Sequence, residues 1–362
     1  MAMILPSEQE MDIPRLARVY DNTTAPYKFY WFVSIINRLA EESKRREFSF
    51  DEIISGMIAE AWYPIHYFML SFGKNDSLAD IVYLIRRILL IPVDADKRDV
   101  MRDILKNRDI PDVRKCIQQL STNVPYWFLS PWLPGMKKTK DVELASQSEF
   151  SRCPYAINGK SIRLREEWAE YFFKHASILK DFSFWNLSLF LQKRNPNVPD
   201  LPSKLVRPLQ RSSLTKQHHF WDHYIETVGE IRCIYTNASL RKGHYDLDHF
   251  IPWSFVAHDL LWNLLPADSS INSSKSNNLP PLDVYLKPMA HLQRDALSVN
   301  YANNPSDKLL EDYLIFRCSI EELISIPEDR FIELYKKEFT PMSQTAMNMG
   351  FAMWDNRPEL YV

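Results

Sequence analysis

The spacing of apolar positions along the chain predicts a mostly helical protein. Phe29, Phe32, Ile35, Ile36 and Leu39 recur three and four residues apart, then give way to the charged run 41–46, which marks a helix and its polar end. Ser49-x-x-Glu52 forms a capping box that opens the next helix, and Ser77-x-x-Asp80 opens another ahead of Ile81, Leu84, Ile85 and Ile88. Pro111 suits the first turn of a further helix. Residues 125–134 set Tyr126, Trp127, Phe128 and Trp132 among prolines and predict an ordered loop. Asn158-Gly159, between Tyr155 and Ile162, predicts a small hairpin closed by a type I′ turn. Helical spacing then runs from Arg163 to about Leu179 and from Phe184 to Gln192.

Three prolines within residues 195–202 remove donors and block the preceding turns, so this stretch is a boundary. After Pro281 the helical pattern resumes, with a second capping box at Ser319-x-x-Glu322 and Pro341 near the start of the last helix. The expected organisation is a helical domain over residues 1–202, a small central domain over 203–285 and a helical region over 286–362.

Composition sharpens this picture in a few places. With 7 Gly and 23 Pro in 362 residues, the chain lacks the glycine for phosphate-cradling loops and has the proline for punctuated helices. A net charge of −2 excludes a globally basic nucleic-acid binder but not a local basic surface. One such stretch runs from Lys204 to Lys242, with seven Lys or Arg against three acids. Within it Lys204, Arg207, Arg211, Lys216, Arg241 and Lys242 are candidate phosphate contacts; a solvated charged face is the alternative. Cys116, Cys153, Cys233 and Cys318 lie far apart without a paired rhythm and read as buried free thiols of a reducing compartment. The N-terminus turns acidic too early for a signal peptide, and the apolar stretch 81–93 is interrupted by Arg86 and Arg87. These features predict a cytoplasmic protein without a membrane segment. The aromatic run 27–32 reads as core rather than as a stacking platform.

The chemistry is concentrated between Cys233 and Pro280. Strands are expected over 231–235 and 244–251, joined by a turn containing Gly243, with a short helix near Asn272. Asp248 and His249 are neighbours on the second strand, so their side chains leave opposite faces unless a bulge re-aims one. A helix crossing the strands would bring Asn272 beside Asp248. One carboxylate and one amide oxygen, completed by water, suit Mg²⁺ or Mn²⁺, and a neutral His249 is free to take a proton near pH 7. Lys275 adds a point charge for a phosphate.

These residues resemble the His-Me finger, or ββα-metal, HNH endonucleases, in the branch that includes the HNH domain of Cas9. The resemblance covers about 50 of the 362 residues. It is carried by Asp248-His249, Pro252, Ser254-Phe255, Asn263 fourteen residues after the histidine, Asn272 twenty-three after it, Lys275-Ser276 and Asn278-x-Pro280. It implies that His249 is the general base, that Asp248 and Asn272 bind the metal, and that Asn263 holds the loop presenting the base. It further implies cleavage that leaves a 5′-phosphate. Many members carry two C-x-x-C pairs around a structural zinc; here Thr236 stands where the partner of Cys233 would be, so no zinc is expected.

The remainder of the chain is far shorter than Cas9 and is more similar to stand-alone bacterial HNH proteins, some associated with defence against phage. DNA is the expected substrate. RNA cleavage and a non-catalytic nucleic-acid-binding or assembly role are the alternatives. A single core makes a single cut, so double-strand cleavage calls for a homodimer, a partner or two encounters.

Bland readings compete at several positions. Asp222-His223 is a second such dipeptide, followed by Asn237 fourteen residues later, but it sits in a helical pattern without the proline, the second asparagine or the lysine. Asn263 reads equally as a satisfied buried amide, Asn272 as a helix cap, and Asp246 as a surface acid. His219 and His223, four apart, share a helix face but have no evident third ligand.

Overall fold

The computed structural model describes residues 4–8, 11–74, 76–207 and 213–355, with the side chains of Asn272 and Ser273 left out. The fold is mainly helical with small sheets. The chain divides into two compact units, Met1–Pro196 with Leu201–Arg207, and Asn197–Asp200 with Pro208–Val362. The first therefore ends close to the proline-rich stretch, and the residues after 285 share a unit with the HNH-like segment.

In the first unit the helix Tyr27–Glu41 is the centre of the core. Phe29, Tyr30, Trp31, Phe32, Ile35, Ile36 and Leu39 are all buried, and a helix apolar nearly all round must be enclosed. It packs on the helix Phe50–His66, which opens with the expected Ser49–Glu52 capping box. Close approach of the two helices depends on Gly56, because a methyl group there would collide with the Ser34 hydroxyl. That hydroxyl donates to Ile53 O at 2.8 Å. A three-stranded antiparallel sheet, with Ser161–Leu164 between Glu47–Ser49 and Tyr155–Asn158, joins this core. Trp31 Nε1 donates to the Tyr155 hydroxyl (3.0 Å), which donates in turn to Pro125 O (2.7 Å).

Several local expectations are corrected here. Asp76, not Ser77, caps the helix Ser77–Leu89, its carboxylate accepting from Ala79 N at 2.9 Å. Asn158 pairs with Ser161, so the hairpin loop is Gly159-Lys160. Only Gly159 of the two has positive φ, which is the signature of a type II′ rather than a type I′ turn. Arg163 and Leu164 belong to the sheet, and the helices after them are Glu166–Lys174 and Ala176–Gln192, separated at His175. The proline-rich loop contains a short helix, Val124–Trp127.

The second unit begins with the helix Thr215–Val228 and the small hairpin Ile231–Arg232 with Ser239–Leu240. The strand Asp246–His249 then pairs antiparallel with Leu264–Ala267, and the helix Ser269–Lys275 follows. Two strands and a helix are therefore present, but the expected partner strand is wrong. Residues 231–232 close on their own hairpin, through Cys233 N to Ala238 O and Asn237 N to Cys233 O, and leave the Asp246–His249 edge to Leu264–Ala267. Pro266 pairs with Leu247 in that ladder, which makes the second strand hard to recognise from sequence.

The helices Leu282–Asn303 and Glu328–Met349 pack against each other and complete the unit. Pro341 lies inside the latter rather than near its start; the buried stripe of Phe331, Tyr335, Phe339, Ser343 and Ala346 holds the helix together across it. Phe339 meets Phe250 and Trp262 at ring distances of 5.5 and 5.3 Å, so the core lies directly behind the Asp246–His249 strand. Among the described residues no helix is long and apolar enough to cross a membrane.

Candidate active site

The strand Asp246–His249 pairs in regular register, Asp248 opposite Leu265 and His249 opposite Leu264, without a bulge. Asp248 and His249 therefore project from opposite faces, as strand geometry requires. Their environments differ accordingly. Asp248 is 3% exposed and has two protein partners. The Tyr235 hydroxyl donates to its Oδ2 at 2.8 Å, and the Lys275 ammonium lies 3.1 Å from Oδ1 and 3.0 Å from Oδ2. His249 keeps a little more exposure, 12% of its side chain, and its Nε2 lies 2.9 Å from Asp259 Oδ1.

Lys275 does not face solvent as a free point charge. It is fully buried at the end of the helix Ser269–Lys275, and its ammonium also donates to His249 O at 2.6 Å. A buried charge of this kind is tolerated only when paired, and here one lysine satisfies both the carboxylate and the backbone of adjacent residues. Burial first, and then the negative charge of Asp248, push the Tyr235 phenol well above its ordinary range, so it remains a donor. Tyr235 is itself fixed by ring contacts with Tyr285 (5.1 Å) and Trp354 (5.4 Å).

Asn263 clamps the chain immediately after the histidine. Its Oδ1 accepts from Ile251 N and its Nδ2 donates to Ile251 O, both at 2.8 Å, while Phe250 N donates to Asn263 O at 2.8 Å. The amide is completely buried, so the satisfied-amide reading and the loop-holding reading describe the same contacts. Gln293, also buried, donates through Nε2 to Leu261 O (3.0 Å) and Leu264 O (2.6 Å) on either side of Asn263, and accepts from the Tyr313 hydroxyl at 2.6 Å.

Asn272 has its backbone in the helix Ser269–Lys275; its side chain lies outside the described residues. Asp246 is half-buried at the start of its strand. Cys233 is buried, its Sγ accepting from Asp268 N at 3.5 Å, and Thr236 Oγ1 accepts from Ala238 N at 3.2 Å. The Asp222 carboxylate of the second Asp-His pair accepts from the Tyr245 hydroxyl at 2.9 Å, on the helix Thr215–Val228.

Among the candidate phosphate contacts, Lys204 is corrected by its burial: it is fully enclosed, with its ammonium 5.8 Å from the Phe68 ring. Lys216 is exposed in the first turn of that helix. Arg241 and Lys242 are exposed but face Glu230 and Glu226. Arg207 lies in the first unit, bonded to Asp94 O, and Arg211 lies outside the described residues.

Asp259, Tyr235 and Gln293 are site residues that sequence reasoning missed. Each makes its contact across a loop or between elements, where no periodicity marks it; Asp259 is ten residues from His249 in an irregular segment. Asp248 offers a carboxylate, the donor type a hard divalent cation takes, and its two oxygens also receive Tyr235 and Lys275.

The strand Asp246–His249 thus carries an adjacent acid and histidine, with a paired strand and a following helix beside it. Residues 233–281 match the family described as HNH endonuclease, so this segment of the chain is an HNH endonuclease domain. Comparison with curated proteins and with solved structures returned no match.

Proposed function

We propose that the chain is a metal-dependent endonuclease that hydrolyses phosphodiester bonds in DNA, with His249 as general base and Asp248 and Asn272 as ligands of one Mg²⁺ or Mn²⁺. A role in restriction or anti-phage defence belongs to the same reading. The observation that carries it is the division of labour at the strand end: a buried carboxylate on one face and a partly exposed imidazole on the other, one residue apart.

When bound, the cation supplies charge neutralisation at the scissile phosphate and at the departing oxygen. The protein's own groups do the rest. His249 takes a proton from the attacking water, a role suited to an imidazole near neutral pH. Asn263 holds the 250–251 backbone so that His249 is presented on a rigid support. Lys275 and Tyr235 hold the Asp248 carboxylate in one orientation by donating to it.

The test is a substrate panel: supercoiled plasmid, linear duplex, single-stranded DNA and RNA, each with Mg²⁺, with Mn²⁺ and with EDTA. Cleavage of DNA that EDTA abolishes supports the proposal. Cleavage confined to RNA would replace the substrate, and no cleavage of any of them would favour a binding role.

A further inference from the structure

The described residues offer a cavity near His219 and His223, an acidic pocket near Glu8 and Glu170, and an exposed apolar stripe of Ile178, Trp185 and Leu189. None has a buried polar group aimed at a ligand or a feature naming its occupant. The contact that carries furthest is the one between His249 and Asp259.

We infer that Asp259 is a positioning residue for His249, holding the ring with its proton on Nε2 so that Nδ1 is the atom that accepts the proton from water. This rests on the nuclease reading above. A carboxylate oxygen accepts hydrogen bonds, so the 2.9 Å contact between Nε2 and Asp259 Oδ1 favours the tautomer in which Nε2 carries the hydrogen. A neutral imidazole has one donor and one acceptor nitrogen, and the bond made by one sets the role of the other. Nδ1 is left with the lone pair.

The surroundings separate this contact from an ordinary surface pair, which is worth little because its side chains are mobile and solvated. His249 and Asp259 are 12% and 19% exposed. The segment bearing Asp259 is anchored on both sides. Asp259 O accepts from Gln217 Nε2 at 3.0 Å, and Leu261 N donates to Asp312 Oδ2 at 2.8 Å. Before it, Ala257 turns the chain in the left-handed region with φ 60° and His258 packs against Trp262 at 5.3 Å. Gln217 belongs to the helix Thr215–Val228 and Asp312 to the 3-10 segment Lys308–Phe316, so two separate elements fix the carboxylate relative to the strand that carries His249.

The experiment combines ¹⁵N NMR of the histidine rings in the metal-free full-length chain with cleavage kinetics of the Mg²⁺-loaded chain. Wild type, Asp259→Asn, Asp259→Ala and Asp259→Glu are compared, and His249→Gln assigns the signal. Wild type shows the Nε2–H tautomer at His249. Asp259→Ala and Asp259→Asn give a mixture of tautomers, and kcat falls roughly ten- to hundredfold with KM little changed, the usual cost of losing a group that orients a reacting side chain. Asp259→Glu recovers part of both signals, which separates a lost orientation from a lost fold. An Nδ1–H tautomer in wild type, an unchanged tautomer in both Asp259→Ala and Asp259→Asn, or unchanged kcat despite a changed tautomer would overturn the inference. A wild-type chain that shows the Nε2–H tautomer yet cleaves nothing would instead overturn the nuclease reading, and with it the positioning role.

Discussion

The ammonium of Lys275 lies 3.0 Å from the carboxylate of Asp248, and neither side chain has more than 4% exposure. A pair so enclosed contributes little net stability as a pair, but removing one member leaves the other charge buried alone, at a cost of about 3–5 kcal/mol. Lys275→Met should therefore lower the unfolding free energy by about that much in urea denaturation. The double variant Asp248→Asn/Lys275→Met should recover a substantial part of the loss. Equal destabilisation by the single and double variants would mean that the two charges are not coupled.

Asn263→Ala strands the N–H and C=O of Ile251 in the interior. At about 1–3 kcal/mol for each unsatisfied group, the expected loss is roughly 2–6 kcal/mol. Amide hydrogen exchange reads the same contact locally: Ile251 N–H, protected in wild type by Asn263 Oδ1, should exchange much faster in the variant. Unchanged protection would show that another acceptor takes over.

Tyr235→Phe keeps the ring contacts with Tyr285 and Trp354 and deletes only the donor to Asp248. A hydrogen bond to a charged acceptor is worth about 1.5–3 kcal/mol, and the variant should lose that amount in equilibrium unfolding. Because burial and the nearby carboxylate push the phenol up, absorbance titration should detect no ionisation of Tyr235 before alkaline unfolding. A tyrosinate signal assigned to it in the folded protein near pH 10 would contradict this environment.

His66 gives the first unit a pH dependence of definite sign. It is buried, with its ring 4.5 Å from Trp62 and 5.0 Å from Tyr83, and burial, then the charge of Arg86, push it down from 6.5 to about 4. The unfolded chain thus binds a proton more readily between those values. Stability is fully present above about pH 6.5 and declines as pH falls toward about 4, by roughly 3 kcal/mol across the window. His66→Phe should flatten that slope when denaturation midpoints are compared from pH 7 to pH 4. An unchanged slope would assign the acid sensitivity to other groups.

Much of this was legible in the chain itself, and unevenly so. The buried faces of the helices Tyr27–Glu41 and Phe50–His66 follow from apolar spacing, and both capping boxes are found at Ser49–Glu52 and Ser319–Glu322. These are local signals, set by residues within a few positions of each other. Strand pairing is not local: Leu264–Ala267 carries a proline and no alternation, so nothing in its own sequence announces that it, rather than 231–235, borders His249. At the site, Asp248, His249 and Asn263 are picked out by the resemblance to the HNH endonucleases. Tyr235, Asp259 and Gln293 reach them from other elements and are visible only once the chain has folded. Lys275 was visible as a residue but not as a buried partner, because burial of a charge depends on what surrounds it rather than on its neighbours in sequence.

The central claim is tested most directly by plasmid nicking with wild type and His249→Ala at equal concentration in Mg²⁺, after both are shown to melt at the same temperature. Loss of a positioned general base typically costs about 10²–10⁴ in rate, so wild type should convert supercoiled to relaxed plasmid while His249→Ala slows by at least a hundredfold. Nicking by His249→Ala at the wild-type rate would contradict the account.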